Sequence, residues 1–136
     1  MTFEHEIRKQ EDFWGLEIDE AYEESVRKSF VNPLHKTSVS FLAYVDDKAV
    51  GRIDASLISS HFDGSVKAYL DWICVLKSHR HNGVAQALME HLRKVLKEQY
   101  NVSVLIGLIA SNKDAQSFYR SLPNSLIRDE GIWIDL

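Results

Sequence analysis

Apolar positions recur along this chain with two periods, and the switches between them predict its elements. Phe3 and Ile7 stand among polar residues and read as a short first strand over Phe3 to Arg8. From Gln10-Glu11-Asp12 the step lengthens to four, placing Trp14, Ile18, Tyr22 and Val26 on one helical face until Asn32-Pro33 ends it. The other face carries Glu17, Glu20, Glu23, Glu24, Arg27 and Lys28, a solvated surface or a lure for a cationic amine. Ser38 to Val45 and Ala49 to Ile58 read as strands about the turn Asp46-Asp47-Lys48, with Gly51 a candidate bulge. A loop from Ser59 to Ser65 leads into a third strand, Val66 to Leu76, which completes an antiparallel meander.

A polar turn, Lys77 to Asn82, and Gly83 then precede Val84, Ala85, Leu88, Leu92, Val95 and Leu96, spaced as the apolar face of a helix. Val102 to Ile109 is a second continuous apolar run, too short and β-branched for a helix core. A helix crosses over between it and the 66–76 strand, so the two should lie parallel. Ser111 or Asn112 caps a further helix with Ala115, Phe118, Tyr119 and Leu122 on one face, ending at Pro123-Asn124. Leu126 to Arg128 and Ile132 to Leu136 read as a terminal hairpin. The expected order is β-α-β-β-β-α-β-α-β-β: an α/β (α+β) fold with a twisted mixed sheet flanked by helices.

Composition narrows the function classes. A chain of 136 residues suits one domain, 1–136. Its net charge of −4 argues against a nucleic-acid partner. No apolar run approaches the roughly 20 residues of a membrane span, and the start Met1-Thr2-Phe3-Glu4 does not resemble a signal peptide. The lone Cys74 cannot form an internal disulfide and fits a reducing, cytoplasmic setting. His79 and His81 have no third ligand nearby, so no metal site is expected. Exposed strand edges in the terminal hairpin leave a homodimer open.

The candidate chemistry lies where the third strand meets its helix. The first-turn N–H groups of a helix lack intrahelical partners and sit at the positive end of its dipole, which suits a phosphate or pyrophosphate. The turn Arg80-His81-Asn82-Gly83-Val84-Ala85 reads R-x-x-G-x-A. It lacks the lysine and hydroxyl of a P-loop and two of the three glycines of a dinucleotide fingerprint. It resembles the acyl-CoA pyrophosphate loop of the GNAT superfamily of N-acetyltransferases, whose pattern is Q/R-x-x-G-x-G/A. One strand later, Asn112-Lys113-Asp114-Ala115-Gln116-Ser117-Phe118-Tyr119 resembles that superfamily's second signature, N-x-x-A-x-x-F-Y. The order of motifs and elements is similar too. The chain departs from the pattern after Tyr119, where Arg120-Ser121-Leu122-Pro123-Asn124 replaces the usual Gly-Phe, and its last strands are short.

The resemblance implies that an amine attacks the thioester of acetyl-CoA directly, with the amine on a small molecule or a protein. It implies that the main chain of Ile73 and Val75 pairs with the pantetheine arm. By the same resemblance, the N–H groups of His81, Asn82, Gly83, Val84 and Ala85 hold the pyrophosphate, with Arg80 adding charge. Asn112 would meet the cofactor arm, while Phe118 lies beside it or simply packs in the core. Tyr119 is the candidate acid for the leaving thiolate, or a helix-face aromatic. Asp71, a carboxylate in an apolar strand, is the candidate base if burial raises its pKa, and otherwise a hydrogen-bonded strand acid. Asp54 and His61 are secondary choices. The alternative to an enzyme is a non-catalytic acyl-CoA-binding or regulatory module that keeps the loop and needs no Tyr119.

Overall fold

Phe3 and Ile7 are four apart, a spacing that also fits one face of a helix, and a helix is what they form. In a computed structural model that describes residues 1–10, 17–108, 113–127 and 134–135, α1 spans Thr2–Gln10 and buries Phe3, Glu4 and Ile7. This corrects the expected first strand. The second helix, α2, is Glu20–Ser29, and Asp19 caps it by accepting from the Tyr22 N–H at 2.7 Å. Residues 11–16 of the expected longer helix lie outside the described residues, as does most of the expected terminal hairpin.

The meander forms as expected, with β1 at Ser38–Val45, β2 at Lys48–Ser59 and β3 at Val66–Val75. A one-turn 3-10 helix, Lys77–His79, leads to α3, Val84–Tyr100. The next strand, β4, is only Leu105–Gly107, and α4 is Lys113–Ser121. The sheet order is β1-β2-β3-β4. Of the expected 102–109 run, Ile109 lies outside the described residues and the first residue serves the preceding helix. Asn101 turns left-handed at φ 52° and the Val102 N–H reaches back to the Leu96 carbonyl.

Two irregularities interrupt the ladder. Between Ala43 and Tyr44 the register slips opposite Ala49 to Gly51, so the bulge expected near Gly51 is present. The second slip leaves Asp71 as the extra residue of β3, between the pairs Asp54–Trp72 and Ala55–Leu70. Helix α3 packs on β1, β2 and β3, while α1 packs on β2 and on the 3-10 turn. Phe3, Ile7, Val50 and Leu76 form a buried cluster with Ala43, Ala49, Trp72, Cys74 and Val84 against it. By contacts the chain forms two compact units, Met1–Ile106 and Gly107–Leu136.

Candidate active site

Hydrogen-bond alternation decides which backbone groups of β3 are available. The Leu76 N–H donates to the Val50 carbonyl at 2.9 Å. In an antiparallel ladder, bonded and non-bonded pairs alternate. The pairs Ile73–Ile53 and Val75–Gly51 are therefore non-bonded, and Ile73 and Val75 turn their N–H and C=O groups away from β2. Both expected pantetheine-binding residues thus present main chain on the side where β4 neighbours β3. Arg80 reinforces this end: its Nε donates to the Val75 carbonyl at 3.1 Å, tying the start of the loop to the end of the strand.

His81 follows in the left-handed region at φ 61°, and Gly83 at φ 78° is the N-cap of α3. No side chain caps this 17-residue helix, so its first-turn N–H donors remain for an external acceptor. A Cβ built on Gly83 would meet nothing within 4 Å, so the cradle is open above the turn. His81, Asn82 and Gly83 are exposed, while Arg80, Val84 and Ala85 are half-buried. Lys77, His79, Arg80 and His81 supply basic side chains, and Lys77 to Ala85 contains no acid. The backbone and charge fit a diphosphate.

Sequence reasoning missed two supports of this loop. Gln10, at the end of α1, accepts from both the Ser78 N–H (3.2 Å) and Ser78 Oγ (3.1 Å), clamping the 3-10 turn. Gly51 lies beneath the first turn of α3, where a built Cβ would stand 2.9 Å from Val84 Cγ1 and 3.0 Å from Leu88 Cδ1. Glycine at a bulge was the available signal for such a close approach. Gln10 gave no signal, since its partner is 68 positions away.

Asp71 is exposed, contrary to the burial expected for a base: its bulge puts it at the solvent side, where it accepts from Ser56 Oγ at 2.6 Å. The buried charge lies elsewhere. Glu4, 3% exposed, binds Arg52 and accepts from Tyr22 Oη at 3.2 Å. Arg52 Nε is 2.7 Å from Asp54 Oδ2, and the guanidinium lies 5.4 Å from the centre of a Trp72 ring. Asp54, with Arg52 on one oxygen and Ser40 on the other, is a structural anchor. His61 is exposed in the 59–65 loop.

Tyr119 and Phe118 belong to the second unit, on α4. Their rings meet edge-on with centroids 5.4 Å apart, and both are half-buried. Burial raises the Tyr119 phenol above its ordinary pKa, so it keeps its proton at neutral pH. Asn112 lies outside the described residues. Among the described residues, no cluster of His, Cys, Asp or Glu side chains could hold a metal, and no helix is long and apolar enough to cross a membrane.

The fold matches solved structures closely in shape and distantly in sequence. An aminoglycoside acetyltransferase from an uncultured soil metagenomic sample, in complex with trehalose, superposes with a TM-score of 0.79 at 16% identity, covering 98% of this chain and 86% of that one. AAC(6')-Iy, in complex with the bisubstrate analogue CoA-S-monomethyl-acetylneamine, gives 0.74 at 23%, covering 96% and 86%. A ribosomal-protein-alanine N-acetyltransferase from Brucella melitensis biovar Abortus 2308 gives 0.63 at 22%, covering 74% and 70%. No curated protein matches the chain in sequence. The family model for the acetyltransferase (GNAT) family matches residues 3–122. The chain belongs to the GNAT family: it is an acyltransferase whose acyl donor is acetyl-CoA.

Proposed function

We propose that the protein transfers the acetyl group of acetyl-CoA to a primary amine of a small molecule by direct attack, with residues 1–136 acting as one catalytic domain in the cytoplasm. The observation that carries the reading is continuous: the outward-facing main chain of Ile73 and Val75 runs into a basic, left-handed turn that opens an uncapped helix. Acetyl-CoA supplies an activated carbonyl and a thiolate leaving group. The N–H groups of His81 to Ala85 and the Arg80 guanidinium hold its diphosphate, while Ile73 and Val75 align the arm as an added strand. By the family resemblance, Asn112 and Phe118 would meet that arm.

In this reading the amine nitrogen bonds to the thioester carbon and the carbon–sulfur bond breaks. Tyr119, kept protonated by burial, gives its proton to the departing sulfur. Asp71 draws the cationic acceptor as a solvent-facing carboxylate; the amine sheds one proton to water before it attacks and a second after, and a proton returned through water restores the Tyr119 phenol. Two neighbours of similar fold support a small polycationic amine: one is named an aminoglycoside acetyltransferase, and the other holds a CoA–acetylneamine conjugate. Calorimetry with acetyl-CoA and CoA on the wild type and on Gly83→Glu tests the donor site, and thiol release across an amine panel tests transfer. Binding that is lost in the variant, with thiol release from an aminoglycoside or another amine, is the expected result. Wild-type binding without release from any amine would favour the regulatory module instead.

A further inference from the structure

Asn82 and Gly83 form the only Asn-Gly step of the chain. Among the described residues, nothing accepts from the Gly83 N–H, and the Asn82 carboxamide makes no hydrogen bond. Both residues are exposed, and a Cβ built on Gly83 would meet nothing within 4 Å, so neither a side chain nor a neighbour shields its nitrogen. That nitrogen stands at the N-cap of α3, in a stretch from Lys77 to Ala85 with basic side chains and no acid. The positive end of the helix dipole and the nearby cations favour an amide anion over its protonated form. Two other asparagines are protected. Asn32 precedes Pro33, which has no N–H, and the Val102 N–H after Asn101 is bonded to the Leu96 carbonyl. Asp63-Gly64 is the comparable acidic step, but the Ser65 hydroxyl and Lys67 hold the Asp63 carboxyl well below the usual carboxylate range, and a carboxylate resists attack by an amide nitrogen.

We propose that Asn82 is a site of spontaneous deamidation in the unliganded protein, and that a bound diphosphate protects it. The Gly83 nitrogen loses its proton and bonds to Cγ of Asn82. The bond from Cγ to Nδ2 breaks, and the side-chain amide leaves as ammonia with that proton. Water then opens the succinimide at one of its two carbonyls. Attack at Cγ leaves an aspartate at this position. Attack at the main-chain carbonyl carbon leaves an isoaspartate, whose backbone runs through the side chain and is one carbon longer. Nothing is oxidised or reduced, and water is the only co-reactant. Either product sets a carboxylate in the turn, and isoaspartate also shifts the Gly83 N–H out of line with those of Val84 and Ala85. The effect on acetyl-CoA rests on the function proposed above: like charge then faces the diphosphate, and affinity should fall by about tenfold or more. A phosphate oxygen that accepts the Gly83 N–H holds its proton and blocks ring closure.

The test follows intact mass and peptide maps of the full chain, held for days at mildly alkaline pH and body temperature. A synthetic peptide of residues 77–87 is the unprotected reference, and circular dichroism checks the fold throughout. The native chain is expected to gain about 1 Da at Asn82, from ammonia lost and water gained, at a rate comparable with the peptide's, while Asn32 and Asn101 stay intact. Asn82→Gln, whose longer arm would have to close a larger ring, should keep its mass. Saturating CoA, its binding confirmed by calorimetry, should slow the native conversion severalfold and leave the peptide unaffected. Asn82→Asp should reproduce the loss of acetyl-CoA affinity seen in aged protein. A native chain that keeps Asn82 intact while the peptide converts overturns the proposal, as does conversion at an undiminished rate with CoA bound. Fresh wild type that binds no acetyl-CoA would refute the proposed function instead, and the mass gain alone would then decide this site.

Discussion

Gly51→Ala is the smallest substitution that tests how the sheet sets the proposed cofactor loop. The added methyl carbon would sit 2.9 Å from Val84 Cγ1, 3.0 Å from Leu88 Cδ1 and 3.4 Å from the Cys74 carbonyl oxygen. Carbon atoms pack at about 3.5–4.0 Å, so the methyl must be given roughly half an ångström or more. Leu88 can yield by rotating its end. Val84 cannot do so easily, because a β-branched side chain in a helix is held to one rotamer, and Val84 is the first residue of α3. Its displacement moves the helix start that follows Gly83. Overpacking of this kind costs about 1–3 kcal/mol, or roughly 3–10 °C in melting temperature for a domain of this size.

The assay pairs thermal unfolding with acetyl-CoA calorimetry on Gly51→Ala, Val84→Ala and the double variant. Val84→Ala deletes the obstructing methyl, so the double variant should recover at least about 1 kcal/mol of the combined single losses, a coupling expected only of neighbours. Acetyl-CoA affinity should fall in Gly51→Ala by up to about tenfold, the equivalent of 1.4 kcal/mol, and return in the double variant. A Gly51→Ala protein as stable as the wild type, or losses that simply add, would refute the idea that Gly51 seats α3.

Gly83→Ala should cost about 1–2 kcal/mol, because φ 78° is unfavourable for a side chain even though a Cβ has open space there; denaturant unfolding measures it. Arg52→Ala should cost about 3 kcal/mol or more by leaving the Glu4 carboxylate buried without its partner, and pairing Glu4→Leu with Arg52→Met should restore most of that loss. Tyr119→Phe should lower kcat by about 100-fold. Because burial raises this phenol, its proton is retained below the ordinary value near 10, and wild-type activity should fall only as pH climbs above that value. The phenol's contribution to stability has the same sign, being present below its unfolded pKa and lost as pH rises through the folded one. A Tyr119→Phe enzyme with unchanged kcat and an unchanged alkaline limb would remove it from the chemistry.

The meander, α3 and the loop were legible because each rests on one uninterrupted local pattern. The Ser38–Val45 strand appears with the boundaries that its apolar run suggests. What escaped depended on residues far apart in sequence. Phe3 and Ile7 satisfy either period, and Glu4 between them would be assigned to solvent in both; its burial rests on Arg52, 48 positions away. Asp71 escaped for a different reason. A bulge adds one residue to β3, so the exposed end of the sheet takes both Asp71 and its partner Ser56, which strict alternation does not reveal. For the candidate site, the motif located the turn, but neither the clamp from Gln10 nor the close approach at Gly51 has a local signature.

Those supports explain why a loop with exposed residues at its tip can still serve as a binding surface. Every backbone group ordered on binding subtracts conformational entropy from affinity, so a diphosphate gains most from donors already in place. Arg80 fixes the entry through the Val75 carbonyl, Gln10 fixes the preceding turn through Ser78, and Gly51 lets α3 settle onto the sheet. His81 and Gly83 can then hold left-handed conformations that an unsupported loop would leave. Because Arg80 uses its Nε on Val75, its own position is set by the strand whose outward main chain is proposed to take the cofactor arm. The diphosphate and the thioester would thus be registered against one structural edge, the end of β3. Errors in placing one are errors in placing the other, so a change at Gly51 should disturb kcat as well as binding.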